Sequence, residues 1–540
     1  MVMDLNLKNR LGAVMNSLYL VCLVGFAVAI AHHHTQLVFS EYPLDYNEGG
    51  MLVTTDTISR GGNPFSLENQ PARISLYPVL FSVIVAPVSR IFGNTLELHR
   101  MLVGLFVLAS CALCYYLCRS NSGSRTESFT AAALCYAALL YYSTPVAGPN
   151  GLGLFFFFLA ITIPWMYEFS TRSLILAIVL GILAFYSKQY FVASLGYIAL
   201  YMFLAVSKLR AVYFGLAALA TFIVVLAFVS YTSTYYLADT FFAVFQSSAI
   251  LASSDAFLVS QSKEFLQHNL PVLVILVLAI LYRWRSKAVL GFPLEQNSQS
   301  EGFVNLFDLD KPLLQRKPNY IWVCCACSVI IVALSLGKNQ GNHLTYFLQL
   351  ISPFLLVGTF ALSSNIPNWR WPFRILALWA MYNSYSLLQT DFSVNEDSWR
   401  IVKKEIAQAN DIYASTLVLQ EIMAKGAPVY ESGATRYFIF GASTLPYLKT
   451  DPDHTTLEIW ERYVQLIQGK IKNREFDLLL IDNWMRLPKS LRDTEVDTQT
   501  LLRQNYRKTA IVLSLPQRPG GGDYNVQIWK PIPAKPGEEK

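Results

Sequence analysis

The sequence predicts a polytopic α-helical membrane protein with a C-terminal α/β domain outside the membrane. Three observations carry that expectation. Of 540 residues, 54% are hydrophobic and only 14% are charged, where soluble domains hold about 25% charged residues. Apolar runs long enough to cross a bilayer recur through the first 390 residues. From residue 391 onward charge rises, and short β runs alternate with helical stretches. The net charge of +6 does not point to nucleic acid, because Lys and Arg lie mainly in short loops between apolar runs.

The apolar runs fall near 11–31, 99–118, 128–143, 150–168, 173–188, 190–206, 211–230, 269–282, 319–336, 345–362 and 372–389. That makes about eleven spans. The first is too long for a signal-peptide core and has no obvious small-residue cleavage site, so it reads as a retained helix. With eleven spans, Lys8 and Arg10, Arg119 and Arg125, Arg172, Lys208 and Arg210, and Arg370 and Arg374 all fall on one side. The long polar loop 283–318 adds Arg283, Arg285, Lys287, Lys311, Arg316 and Lys317 to that side. The positive-inside rule makes it the cytoplasm. The chain is then a multi-pass protein of the plasma (inner) membrane. Loop 32–98 and the tail, 391–540, face the periplasm or exterior.

Loop 32–98 is more than a connector. Residues 49–60 predict a short helix stopped by Arg60-Gly61-Gly62-Asn63-Pro64. Residues 75–93 are apolar, hold two prolines and predict a helix lying in the interface. A second outer loop, 231–268, is rich in aromatics and Ser, and reads equally as a lid or a connector. In the tail, β runs at 428–431, 476–482, 509–513 and 526–529 alternate with helices near 398–425, 454–470 and 497–506. Gly520-Gly521-Gly522 reads as a turn, and there is neither a G-x-G-x-x-G run nor a P-loop.

All eight cysteines lie in apolar segments and lack His partners, so packing explains them better than zinc. The tail has none, so no disulfide holds it. The acidic residues of loop 32–98 stand out. Asp45 and Glu48 lie three residues apart at the membrane surface, directly after the first helix. Acidic side chains at a helical bundle are costly and rarely idle. The pair suits acid/base chemistry on a lipid-borne substrate, or it caps a helix, with Glu48 at the capping-box position.

Three stretches together resemble the GT-C superfamily, polytopic glycosyltransferases that use polyprenyl-phosphate-linked sugars, and within it the bacterial branch related to protein O-mannosyltransferases and the lipid A aminoarabinose transferase. The first is Pro43-Leu44-Asp45-Tyr46-Asn47-Glu48-Gly49 with Gly61-Gly62-Asn63-Pro64 and Tyr77-Pro78. The second is Tyr186-Ser187-Lys188-Gln189. The third runs from Gly337-Lys338 through His343 and Tyr346 to Gln349, with Thr345 and Gln349 where the family usually has Asn and Glu. The resemblance covers residues 1–390 and implies a GT-C-like catalytic domain there. It implies transfer of a sugar from a polyprenyl-phosphate donor to an acceptor hydroxyl on a glycan, lipid or protein, with inversion and with Asp45 as base. Glu48 then orients the acceptor, joins Asp45 around a divalent Mg²⁺ or Mn²⁺ ion, or caps the helix. Lys188, Lys338, His343, Arg100 and Arg73 are the cations that would receive the departing phosphate, and Tyr46 and Tyr346 would line the sugar or acceptor site. A ligase or polymerase taking a diphosphate-linked glycan shares these features. A transporter of lipid or glycan is the other class, but no repeat is evident and the notable charges lie at the outer interface.

Overall fold

The computed structural model describes residues 2–45, 47–66, 75, 77–120, 124–143, 147–233, 235–242, 370–391, 396–414, 416–431, 455–482, 487–488, 490, 497–515 and 524–533, with isolated positions between 259 and 330. Helix α1 spans Val2–Val38, and its 37 residues make a rod of about 55 Å at 1.5 Å per residue. That exceeds the roughly 30 Å apolar thickness of a bilayer, so α1 projects beyond it. After the loop at 39–46 come the short helices α2, Asn47–Ser59, and α3, Leu80–Phe92. Then α4, Leu96–Ser120, α5, Arg125–Ser143, α6, Asn150–Met166, and α7, Thr171–Ser187, run back and forth, followed by α8, Ala193–Ala205, α9, Lys208–Thr232, and α10, Arg370–Asp391.

Arg10–Val38, Leu96–Ser120 and Lys208–Thr232 are long and apolar enough to cross a membrane, and α6 and α7 are shorter apolar helices. Leu11, Val14, Leu18, Val21 and Val28 on α1, and Leu216, Leu219, Ile223 and Val224 on α9, are exposed. So much apolar surface is untenable in water and natural against lipid. Inside, α1, α4 to α8 and α10 share one core that includes Leu23, Val107, Phe157, Ile161, Ala177, Tyr197 and Met381. Cys111, Cys114, Cys118 and Cys135 are buried free thiols within it. The expected spans at 269–282, 319–336 and 345–362, the loop 283–318 and Gly520-Gly521-Gly522 lie wholly or largely outside the described residues.

Two polar knots mark the two ends of the bundle. At one, Arg374 at the start of α10 pairs with Glu127 at the start of α5 at 2.8 Å and also bonds Asn16 of α1. Arg119 near the end of α4, Arg125 at the start of α5 and Arg370 at the start of α10 belong to this end. At the other end, α1 finishes, α2 and α3 lie, and α4 begins.

Residues 396–531 form an α/β unit. Helix α11, Glu396–Gln408, leads into β1, Ile412–Ala414; α12, Leu419–Lys425, leads into β2, Tyr430–Glu431. Helix α13, Thr455–Lys472, precedes β3, Leu478–Asp482, and α14, Thr498–Asn505, precedes the antiparallel pair β4, Tyr506–Leu515, and β5, Tyr524–Pro531. The sheet order is β2-β1-β3-β5-β4. β2, β1 and β3 are parallel, whereas β5 runs antiparallel to β3. β1 and β3 are buried throughout, as parallel strands covered on both faces must be. Four of these strands match the expected β runs. The fifth, β1, interrupts what the sequence predicts as one helix over 398–425. Three residues are too few to display a period of two, so the local pattern could not reveal it.

Candidate active site

The acidic loop joins α1 to α2. Helix α2 starts because Asp45 Oδ1 accepts the backbone N–H of Asn47 at 2.8 Å, an Asx turn that satisfies a donor left orphaned at a helix start. Glu48, in the first turn, folds back so that Oε2 accepts the Leu44 amide at 2.7 Å. The capping reading of the sequence thus describes how both side chains set the local backbone.

Burial separates the two carboxylates. Glu48 is wholly buried, and its charge is met by Arg100, itself wholly buried, in a two-pronged pair with Nε to Oε1 at 2.9 Å and Nη2 to Oε2 at 2.7 Å. Oε1 also accepts the Ala147 amide at 2.7 Å. The remaining Arg100 donors go to the carbonyls of Ser40 at 2.8 Å, Leu37 at 3.2 Å and Tyr42 at 2.8 Å, and to Ser40 Oγ at 2.9 Å. A guanidinium has five N–H donors and a carboxylate about four acceptor directions. Both are spent here. Arg100 therefore has nothing left for a phosphate, and Glu48 has no lone pair to give a metal ion. The structure corrects both expectations: these two residues are the anchor of the loop, tying the end of α1, the start of α2, α4 and the turn before α6 into one knot. With Glu48 committed, Asp45 and Glu48 do not form a two-carboxylate cation site, and no step through a metal is assigned to them. Among the described residues no group of three or more His, Cys, Asp or Glu side chains has metal-binding geometry.

Asp45 stays half-buried at the surface of this knot. Its backbone is fixed by the Glu48 amide, which donates to the Asp45 carbonyl at 3.3 Å. A neighbouring brace holds α2 from the other side. His99 Nε2 bonds Asn94 Oδ1 at 2.9 Å, and Asn94 Nδ2 donates to the Leu52 carbonyl at 2.8 Å.

Lys188 ends α7 in an extended conformation, φ −156° and ψ 132°. One 3₁₀ turn, Gln189–Val192, links it to α8. Gly153 permits this break, because a Cβ there would overlap the Phe191 ring. The Lys188 ammonium is buried, donates to Asn150 Oδ1 at 2.7 Å and lies over the rings of Tyr77 and Tyr190 at 5.2 and 5.4 Å. An amide oxygen and two ring faces thus surround this ammonium in a poorly hydrated place. The sequence singled out Lys188 as a candidate but not its partners Asn150 and Tyr190. The one signal for Asn150 was a polar residue opening an apolar helix directly after Pro149.

Asn63 accounts for the Gly-Gly-Asn-Pro stretch. Gly61 takes φ +81°, which suits glycine, and the Asn63 side chain then donates to the Thr232 carbonyl at 3.0 Å and Ser233 Oγ at 2.9 Å. It fastens the start of loop 231–268 to loop 32–98, while Gln189 Nε2 on the Thr240 carbonyl at 2.9 Å ties the same loop to the α7–α8 turn. Residues beyond 242 in that loop are described only at isolated positions, and Tyr46, Arg73, Lys338, His343 and Tyr346 lie outside the described residues.

The α/β unit meets α2 directly. Val53 is buried in a cluster with Trp399, Val402, Leu417, Leu419 and Ile422. Leu52 packs with Leu96, Ala147 and the partly buried Met423. The Lys403 ammonium bridges Glu41 at 3.1 Å and Glu421 at 3.6 Å. Hydrogen bonding to Glu41 helps raise the Lys403 pKa, while burial raises that of Glu421 against the pull of Lys403.

No family model matches this sequence, and no curated protein does. Solved structures do. The crystal structure of ArnT from Cupriavidus metallidurans bound to undecaprenyl phosphate superposes with a TM-score of 0.59 at 12% identity, covering 94% of this chain and 98% of that one. The apo state of the same protein gives a TM-score of 0.45 at 11% identity over 94% and 97%. The first likeness runs through both the helical bundle and the α/β unit, so the chain shares, over nearly its whole length, the fold of ArnT.

Proposed function

We propose that the chain is a membrane glycosyltransferase that moves a sugar from a polyprenyl-phosphate donor to an acceptor hydroxyl at the outer face of the membrane. The observation that carries this reading is the division of labour in the acidic loop. Glu48 is consumed by Arg100, and Asp45 is held three residues away, half-buried, on the backbone that this pair fixes. The full-length fold likeness to a protein crystallised with undecaprenyl phosphate supports the donor class.

In the proposed reaction the Asp45 carboxylate takes the proton of the acceptor hydroxyl as its oxygen attacks the anomeric carbon. The bond from that carbon to the phosphate oxygen breaks, the electron pair leaves with the lipid monophosphate, and the sugar inverts. The leaving phosphate gains negative charge, which a preplaced cation stabilises. Lys188 serves there, with Lys338, His343 and Arg73 as further cations, and Tyr46 and Tyr346 line the sugar. The charge pattern of the loops puts this chemistry, and the α/β unit, on the periplasmic or extracellular side of the inner membrane. The acceptor is a glycan, lipid or protein hydroxyl.

Mass spectrometry of envelope glycans and glycolipids tests the reading, comparing cells lacking the protein with cells restored by wild type or Asp45→Asn at matched membrane levels. One sugar should vanish in the deletion and return only with wild type, with transfer by Asp45→Asn down about 10²–10⁴-fold. Full restoration by Asp45→Asn removes Asp45 as base. An unchanged glycan profile removes the transferase reading itself.

A further inference from the structure

Helix α2 is gripped at two places. Its first turn is tied by Glu48 to Arg100, as described. The α/β unit covers the same turn and the next, with a close approach at Gly49, where a Cβ would overlap the Thr416 carbonyl and press on Leu419 Cβ at 3.1 Å. At Gly50, one residue on, a Cβ would have open space, with nothing within 4 Å. Two glycines at the start of a 13-residue helix are a local weakness, and only one of them is required by space. Val53 lies one turn after Gly49 in the apolar socket of α11, α12 and the sheet. Leu52 reaches Met423 of α12 through its own cluster.

We propose that the α/β unit is a positioning element of the acidic loop: its 416–423 corner seats on Gly49, Leu52 and Val53 of α2 and thereby sets where Asp45 stands relative to the membrane bundle. The consequence for chemistry rests on the transferase reading above; the seating itself does not. Asp45 precedes this seat by only four residues and shares its helix start, so displacement of the 416–423 corner moves the base. The exposed bridge from Lys403 to Glu41, with side-chain exposures of 38% and 75%, adds little. The grip is steric and apolar.

The test uses the full chain in detergent or nanodiscs, with Gly49→Ala, Gly50→Ala and Val53→Ala. Hydrogen–deuterium exchange over residues 47–59 and 412–431 reads the seating without reference to activity. Exchange should rise in both segments for Gly49→Ala and Val53→Ala, and stay at the wild-type level or below for Gly50→Ala, which only strengthens the helix. With wild-type transfer established, kcat should fall at least tenfold for Gly49→Ala and less for Val53→Ala, with donor KM unchanged, while Gly50→Ala keeps the wild-type rate. Unaltered exchange in Gly49→Ala and Val53→Ala overturns the seat. Raised exchange with kcat unchanged overturns its role in placing Asp45. Wild type that seats as described but transfers no sugar overturns the transferase reading, and with it the catalytic part of this proposal. If Gly49→Ala fails to fold, Val53→Ala decides both arms, because removing two methyl groups leaves the chain path intact.

Discussion

A buried carboxylate needs hydrogen-bond donors in place of water, and Glu48 is surrounded by them. It receives two N–H groups from Arg100 and one each from Leu44 and Ala147. Charges taken from water cost several kcal/mol each, and removing one partner strands the other. Arg100→Met should therefore destabilise the protein by about 3–5 kcal/mol, and it orphans the carbonyls of Leu37, Ser40 and Tyr42 as well. The expected sign is a clear fall in detergent melting temperature, with transfer lost only in step with folded protein per unit membrane. A stable Arg100→Met with intact fold and defective donor binding would return Arg100 to the phosphate site. At this scale the sequence was half legible. The Asp-x-x-Glu spacing announced a special loop, and Arg100 was visible as a cation at the right end of α4. That Glu48 and Arg100 answer each other across 52 positions is a tertiary fact, and no local pattern encodes it.

The elements around the site followed their sequence signals where those signals were local. The Gly61–Pro64 stop ends α2, the proline-bearing run 75–93 holds α3 with Pro87 inside it, and most described helices end within a few residues of the apolar runs. The break at Lys188 showed as the gap between the apolar runs 173–188 and 190–206, but its cause did not. No proline or glycine stands there, and its cause is remote: Gly153 on α6 makes room for Phe191, and Asn150 and Tyr77 supply the partners for the ammonium. Because that ammonium is held by one amide and two rings, Lys188→Ala should leave the fold in place and weaken donor binding. Hydrogen bonds involving a charge contribute about 1.5–3 kcal/mol, so the dissociation constant for a polyprenyl monophosphate should rise roughly 10- to 100-fold. Titration of the purified protein with the lipid phosphate measures it, and an unchanged affinity assigns Lys188 to helix packing alone.

At the scale of the whole bundle, two buried ion pairs among the described residues close its two ends, and they are built differently. Glu48 and Arg100 are saturated by backbone groups. Glu127 and Arg374 are bonded to each other, with Arg374 also over the rings of Tyr19 and Trp371 at 5.1 Å each, yet Glu127 Oε2 and Arg374 Nε are buried without a hydrogen-bond partner among the described residues. Replacing both members of a buried pair by apolar residues of similar size is often neutral or stabilising, whereas removing one is costly. The two knots should respond in opposite ways. Arg374→Met alone should cost about 3–5 kcal/mol by stranding Glu127, and adding Glu127→Leu should recover most of that loss. The same double replacement at Arg100 and Glu48 should recover little, because the amides of Leu44 and Ala147 and three carbonyls would stay buried without partners, each worth about 1–3 kcal/mol. Melting temperatures of the two double-mutant cycles check this directly. Equal recovery at both ends would mean that the Glu48–Arg100 knot is ordinary packing, and that its backbone bonds do not hold the acidic loop in place.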